Sequence, residues 1–185
     1  VLATGAEARR LPFERGLAGI LALRTLDDAR RLREALAASP RVVVIGAGFI
    51  GMEVAASCRA KGCVVTVVEP LPAPLIRGLG PILGERVARR HREAGVEFHL
   101  GVGVSAFEGE GRVTGVRLAD GRVVPADVVV VGVGAAPSVG WLADSGLAIE
   151  NGILCDATGT TSRSGIHALG DCARWINPRY PERPR

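Results

Sequence analysis

A glycine triplet with an acid some way behind it is the part of this chain best suited to chemistry. Gly46-Ala47-Gly48-Phe49-Ile50-Gly51 has the spacing G-x-G-x-x-G, and a carboxylate follows at Glu69. That combination suits a bound dinucleotide. Gly46 allows a tight turn, Gly48 lets the backbone approach a pyrophosphate, and Gly51 lets a helix pack close on a strand. The N–H groups and dipole at the helix N-terminus attract the phosphates. Glu69 would accept hydrogen bonds from an adenosine ribose and repel a 2′-phosphate. The competing reading is a βαβ unit whose glycines serve packing alone.

The elements around the triplet match the dinucleotide reading. Val42–Ile45 is an apolar β-branched run, read as a buried strand. Phe49 to about Lys61 reads as a helix, with Gly62 placed to stop it. Cys63–Val68 reads as a second strand ending on Glu69. Upstream, Val1–Gly5 ends a strand, 6–19 is loop-like, and 20–24 forms a short strand. Thr25-x-x-Asp28 caps a helix over about 27–38. Downstream, Pro70–Pro74 opens a loop that carries Arg77, and a helix follows from about Ile82 to Ala94, stopped at Gly95. Val96–Leu100 is a strand. The pattern then turns antiparallel, with Val113–Leu118 and Arg122–Val124 about Asp120-Gly121, a hairpin signal. Asp127–Val131 returns to the parallel sheet. A short helix is expected near 139–144, strand and turn over 147–155, and a last strand at Ile166–Leu169. The tail, Asn177–Arg185, is proline-rich. The class is α/β: a parallel sheet with an antiparallel β-meander.

At 185 residues, 48% of them apolar, the chain holds one large domain or two small ones. The start at Val1, already in strand-like sequence, suggests a piece of a longer protein. No apolar run reaches membrane-spanning length. The net charge of +4 comes from arginine, with Lys61 the only lysine. That bias reads as genome composition rather than nucleic-acid binding, and Arg89-Arg90-His91-Arg92 as a solvated face. The surplus still suits an acidic protein partner. Four cysteines without a signal peptide imply a reducing, cytoplasmic setting. Cys58 and Cys63 have a C-x4-C spacing that some redox pairs use. They flank the Gly62 stop, however, which favours buried structural thiols, and Cys155 and Cys172 are read likewise. No metal set is expected.

The turn Gly132-Val133-Gly134-Ala135-Ala136-Pro137 ends a parallel strand, at the sheet edge where ligands sit. Gly134, with Val133 beside it, is therefore a candidate for the nicotinamide end of the same dinucleotide, the alternative being an ordinary strand-ending turn.

Four stretches in order, Ala3-Thr4-Gly5, the Gly46–Glu69 fingerprint, Val131–Pro137 and Ile166-His167-Ala168-Leu169-Gly170-Asp171, resemble the FAD-dependent pyridine nucleotide oxidoreductases. Leu23-Arg24-Thr25-Leu26-Asp27-Asp28-Ala29 and His91-Arg92-Glu93-Ala94-Gly95-Val96 are similar to the oxygenase-coupled ferredoxin reductases among them. The resemblance implies two Rossmann-like domains. Residues 20–133 would bind NAD(H), and 1–19 with 134–185 would be part of an FAD domain. It places Phe49 and Ile50 with the glycines on NAD(H), Glu53 at the nicotinamide carboxamide and Arg77 on the adenosine side. Otherwise Glu53 merely favours the helix dipole. Thr4, Gly5 and Arg9 would lie along FAD, with Asp171 on the flavin ribityl chain and Gly170 allowing close approach. Glu7 stands where some relatives carry arginine. A first FAD-binding βαβ unit would precede Val1, and a C-terminal interface domain would follow Arg185.

The implied activity is NADH-dependent reduction of FAD, followed by single-electron transfer to an iron–sulfur carrier, a ferredoxin. No side chain here needs to act as a general acid or base. The alternatives are a rubredoxin reductase, a nitrite reductase flavin module or an NADH oxidase of the same lineage, whose redox cysteine would precede Val1. A non-catalytic NAD(H)-binding module is the rival from another class. The sequence assigns no oligomeric state.

Overall fold

The computed structural model describes residues 1–14 and 16–179. In chain order the strands and helices are β1 (Ala6–Ala8), β2 (Ile20–Ala22), α1 (Leu26–Ala35), β3 (Arg41–Ile45), α2 (Phe49–Ala60), β4 (Val64–Glu69) and α3 (Ile76–Glu93). There follow β5 (Val96–Leu100), β6 (Val104–Glu108), β7 (Gly115–Leu118), β8 (Val123–Pro125), β9 (Val128–Val131), β10 (Ala135–Pro137), β11 (Ile153–Cys155) and β12 (Ala173–Trp175). Short 3₁₀ turns cover Gly140–Leu142 and Gly170–Cys172. The chain divides into two compact units, 8–134 and 1–7 with 135–185.

The larger unit is built on a five-stranded parallel sheet in the order β2-β9-β3-β4-β5. Handedness decides what covers each face. The steps from β2 to β3, β4 and β5 all move the same way across the sheet, so right-handed crossovers put α1, α2 and α3 on one side. The return from β5 to β9 moves back, and its connection crosses the opposite face. That connection is the antiparallel meander β6-β7-β8.

Side-chain alternation divides the core accordingly. Val42 and Val44 of β3 pack with Leu32, Leu36, Met52, Val54 and Cys58 from the helices. Val43 and Ile45 pack with Val113, Val116 and Leu118 from the meander. The continuous apolar runs of β3 and β9 are what a strand buried on both faces requires.

Two expectations change in the first half of the chain. Ala6–Ala8 is a strand, although its three residues carry no readable period. α3 begins at Ile76, so Arg77 sits on a helical turn and not in a loop. That first turn is set off by a break at Gly80, φ 75° and ψ 173°, ahead of Pro81. Proline at the start of the second segment loses no helical hydrogen bond it could have made. Thr25 and Asp28 form the expected capping box, with the Asp28 N–H donating to Thr25 Oγ1 at 3.1 Å and the Thr25 N–H to Asp28 Oδ2 at 2.9 Å.

The smaller unit is held by two short ladders, β1 beside β10 and β11 parallel to β12. Its core is Leu142, Ile153, Ala168 and Cys172, with Leu2, Ile149 and Cys155 against them. Ile166–Leu169 forms no continuous strand. Isolated bridges join Leu2 to Ala168 and Thr160 to His167. The tail from Tyr180 onward, part of the expected proline-rich end, lies outside the described residues.

Candidate functional site

The three glycines of the fingerprint are not equivalent. Gly46 adopts φ 95°, and a Cβ there would lie 2.5 Å from the carbonyl oxygen of Gly132. A Cβ on Gly51 would overlap the carbonyl oxygen of Gly46. Packing within the protein therefore explains both. Gly48 differs: its φ of −73° and ψ of −175° suit any residue, and a Cβ would meet nothing within 4 Å. The fold itself has no need of glycine there. Gly48 is also the N-cap of α2, and no side chain caps that end. Exposed N–H groups at a helix N-terminus, facing open space with no Cβ in the way, fit a pyrophosphate.

The neighbouring strand ends complete this edge. Gly132 N–H donates to the Ile45 carbonyl at 2.7 Å, which sets the 132–134 turn beside Gly46. Val133 packs partly buried on the meander side of the core, and Gly134 has φ 102°. Arg9 belongs to this unit: its N–H donates to the Gly134 carbonyl at 3.0 Å. The structure thus brings Gly46, Gly48, Gly51, Val133, Gly134 and Arg9 together at the C-terminal ends of β3 and β9, with Glu69 at the end of β4.

Glu69 is a buried carboxylate, 9% exposed. Its Oε2 accepts from Ala47 N–H at 2.7 Å and its Oε1 from Leu71 N–H at 3.0 Å. Leu75 N–H in turn donates to the Ala47 carbonyl at 2.9 Å. The sequence reading missed Ala47, Leu71 and Leu75, because their contributions are backbone groups that any residue type supplies.

The helix-borne candidates separate by side. Ile50 and Glu53 line a groove of about 320 Å³ between α1 and α2, with Leu23, Arg33 and Lys61. Phe49 turns the other way and lies on Gly78, where a Cβ would approach its ring to 3.0 Å. Arg77, next to Gly78 in sequence, is exposed.

In the smaller unit, Leu2 N–H donates to the His167 carbonyl and Leu169 N–H to the Leu2 carbonyl, at 2.7 and 3.0 Å. Those bonds run the two segments parallel, so Thr4-Gly5 and Gly170-Asp171 leave from the same end. Thr4 Oγ1 donates to the Ser138 carbonyl at 2.8 Å, and Gly5 and Gly170 both have positive φ. Asp171 is exposed.

Cys58 and Cys63 close the far end of α2. Cys63 N–H donates to the Cys58 carbonyl and Gly62 N–H to that of Arg59, the paired bonds of a left-handed helix stop. Both thiols are fully buried. Burial, with Cys63 nearby, pushes the Cys58 thiol up to about 11, and burial raises that of Cys63 as well.

The chain is similar to known reductases over almost its whole length. It is 42% identical to rhodocoxin reductase of Rhodococcus erythropolis over 96% of its residues and 42% of that protein. It is 43% identical to the biphenyl dioxygenase system ferredoxin–NAD(+) reductase component of Paraburkholderia xenovorans (strain LB400), over 95% of its residues and 43% of that protein. In the crystal structure of the covalent putidaredoxin reductase–putidaredoxin complex, the matching chain has a TM-score of 0.93 at 38% identity, with 100% of this chain and 46% of that one covered. This chain therefore spans less than half the length of the curated relatives it matches. The family model for pyridine nucleotide-disulphide oxidoreductases matches residues 1–183, strand ends and glycine turns included, and the chain belongs to that family.

Proposed function

We propose that this chain is the NAD(H)-binding part, with some of the FAD-binding part, of an NADH-dependent ferredoxin reductase. Residues 20–133 form the NAD(H) domain in this reading, and 1–19 with 134–185 contribute to the FAD domain. The observation that carries it is Gly48: an uncapped helix N-terminus, glycine where the fold needs none. When bound, FAD would supply hydride acceptance from NADH and single-electron transfer to an iron–sulfur carrier.

The chain's own residues bind and orient. The N–H groups after Gly48 receive the pyrophosphate, while Phe49, Ile50 and Glu53 flank the dinucleotide on α2. Glu69 accepts from the adenosine ribose with the lone pairs its backbone donors leave unused, and Arg77 lies on the adenosine side. Val133 and Gly134 meet the nicotinamide end. Thr4, Gly5, Arg9, Gly170 and Asp171 line the flavin. The arginine-rich composition favours an acidic carrier.

No helix among the described residues is long and apolar enough to cross a membrane. The cysteine usage favours the cytoplasm. Steady-state reduction of purified ferredoxins and rubredoxins by NADH tests the reading. Turnover with a ferredoxin is expected. NADH oxidation that proceeds only with dioxygen as acceptor would instead identify an oxidase.

A further inference from the structure

The nucleotide site contains a tie between its two most recognisable parts. Ala47 sits between the first two glycines of the phosphate turn. Its N–H is held by the Glu69 carboxylate at 2.7 Å and its carbonyl by Leu75 N–H at 2.9 Å. The other Glu69 oxygen holds Leu71 N–H at 3.0 Å. Both faces of the Ala47 residue are thus fastened to the 69–75 segment, and Leu75 takes a left-handed conformation, φ 55°, where it makes its bond. The residues on either side of Ala47 have no side chain with which to hold the turn.

We propose that Glu69 is a positioning residue for the phosphate turn. Its carboxylate sets the Ala47 peptide, and through it the direction of the N–H groups that follow Gly48, independently of any contact with ribose. The inference rests on the nucleotide reading above. Each carboxylate oxygen has a second lone pair, so the ribose role and the positioning role coexist. Glutamine cannot replace it, because its amide offers one acceptor oxygen and turns N–H donors against the other backbone N–H.

The test is nucleotide affinity of Glu69→Gln in the intact protein, measured by NADH fluorescence and paired with thermal denaturation. Two ligands are compared: NADH, and its analogue lacking both adenosine ribose hydroxyls. Positioning predicts that Glu69→Gln weakens the analogue about tenfold, for one unsatisfied buried donor, and NADH by at least that factor. A loss seen with NADH and absent with the analogue would mean ribose contact alone and overturn the proposal. A lowered melting temperature with unchanged affinity would also overturn it, as a purely structural role. Should Glu69→Gln not fold, amide hydrogen exchange of the unaltered protein decides. The Ala47 amide should be protected without nucleotide, although it lies in a turn, and rapid exchange there would refute the tie. If the unaltered protein binds neither ligand, the nucleotide reading itself fails, a result separate from binding that depends on ribose alone.

Discussion

The carbonyl oxygen of Gly46 occupies the place where a Cβ on Gly51 would have to go. Turn and helix are therefore packed to backbone contact, and Gly48 stands apart from both constraints. Gly51→Ala should cost about 1–3 kcal/mol of stability through overpacking. Gly48→Ala should cost less, about 0.5–1 kcal/mol from placing a poorer N-cap, while weakening NADH binding about tenfold or more. Chemical denaturation and fluorescence titration of the two variants check this. Equal loss of stability in both would remove the argument for a ligand at Gly48.

With Glu69 at the adenosine ribose, as proposed, coenzyme choice follows from its charge. A 2′-phosphate would meet a buried carboxylate whose two donors are already engaged, and like charges brought together at an interface cost several kcal/mol. NADH should be preferred over NADPH by about a hundredfold. Glu69→Ala should narrow that ratio while weakening both coenzymes. Competitive titration measures it, and a preference for NADPH would contradict the assignment.

Much of this site was legible in the sequence, for a physical reason. The fingerprint, the Thr25–Asp28 box and the Asp120-Gly121 turn are local: residue type and spacing dictate the backbone within a few positions. The Asp120-Gly121 hairpin has β7 and β8 on either side and φ 90° at Gly121. What escaped was set by partners far along the chain. Ala6–Ala8 becomes a strand because β10 lies beside it. Ala173–Trp175 becomes one because β11 lies beside it. The proline-rich stretch Pro70–Pro74 reads as a loop that carries Arg77, whereas the chain already makes a helical turn from Ile76, ahead of the break at Gly80. The separation of Gly48 from its fellow glycines is invisible to any motif, since it depends on which carbonyl lies opposite.

The buried thiols should be inert. With Cys58 pushed up to about 11, only about one such thiol in a thousand is ionised at pH 8. Alkylation of Cys58 and Cys63 at pH 8 should need unfolding, and Cys58→Ala with Cys63→Ala should leave NADH affinity unchanged at some cost in melting temperature. Rapid labelling of the native protein would show a reactive niche instead.

Asp127 ties the starts of β3 and β9. Its Oδ1 and Oδ2 accept from the Arg41 guanidinium at 2.6 and 2.9 Å, and Oδ2 also from the Arg41 N–H at 2.9 Å. These bonds hold its pKa down to about 2. A carboxyl lowered by folding stabilises the native state above its unfolded value, about 3.9. That contribution fades as pH falls from about 4 toward about 2. The pair is half exposed, so its worth is about 1 kcal/mol. Asp127→Asn should lose that amount at pH 7 and flatten the acid limb of a stability profile over this window. An unchanged acid limb would show that the pair contributes nothing.

The 185-residue chain by itself should bind NADH and remain colourless. Its glycine turn, Glu69 and the 132–134 turn all lie inside the larger unit. A flavin pyrophosphate needs a second glycine turn at a helix N-terminus, and the sequence has one such fingerprint after a strand. Absorbance near the flavin band and thermal shift with NADH are the readouts. A yellow product with stoichiometric FAD would require a different domain boundary.

The position of β9 has a kinetic consequence. It sits between β2 and β3, and Asp127, just ahead of it, clasps Arg41 across 86 residues. During synthesis β3, α2 and β4 can meet early, but the centre of the sheet stays open until Val131 has left the ribosome. Closing so long a loop is slow compared with local pairing. The turn at Gly132 follows directly on β9, so the sheet edge beside Gly46 is among the last features to assemble. Until then the nascent sheet presents an apolar, unpaired edge at β3, which makes this interval the one in which the chain is most exposed to aggregation and most in need of a chaperone.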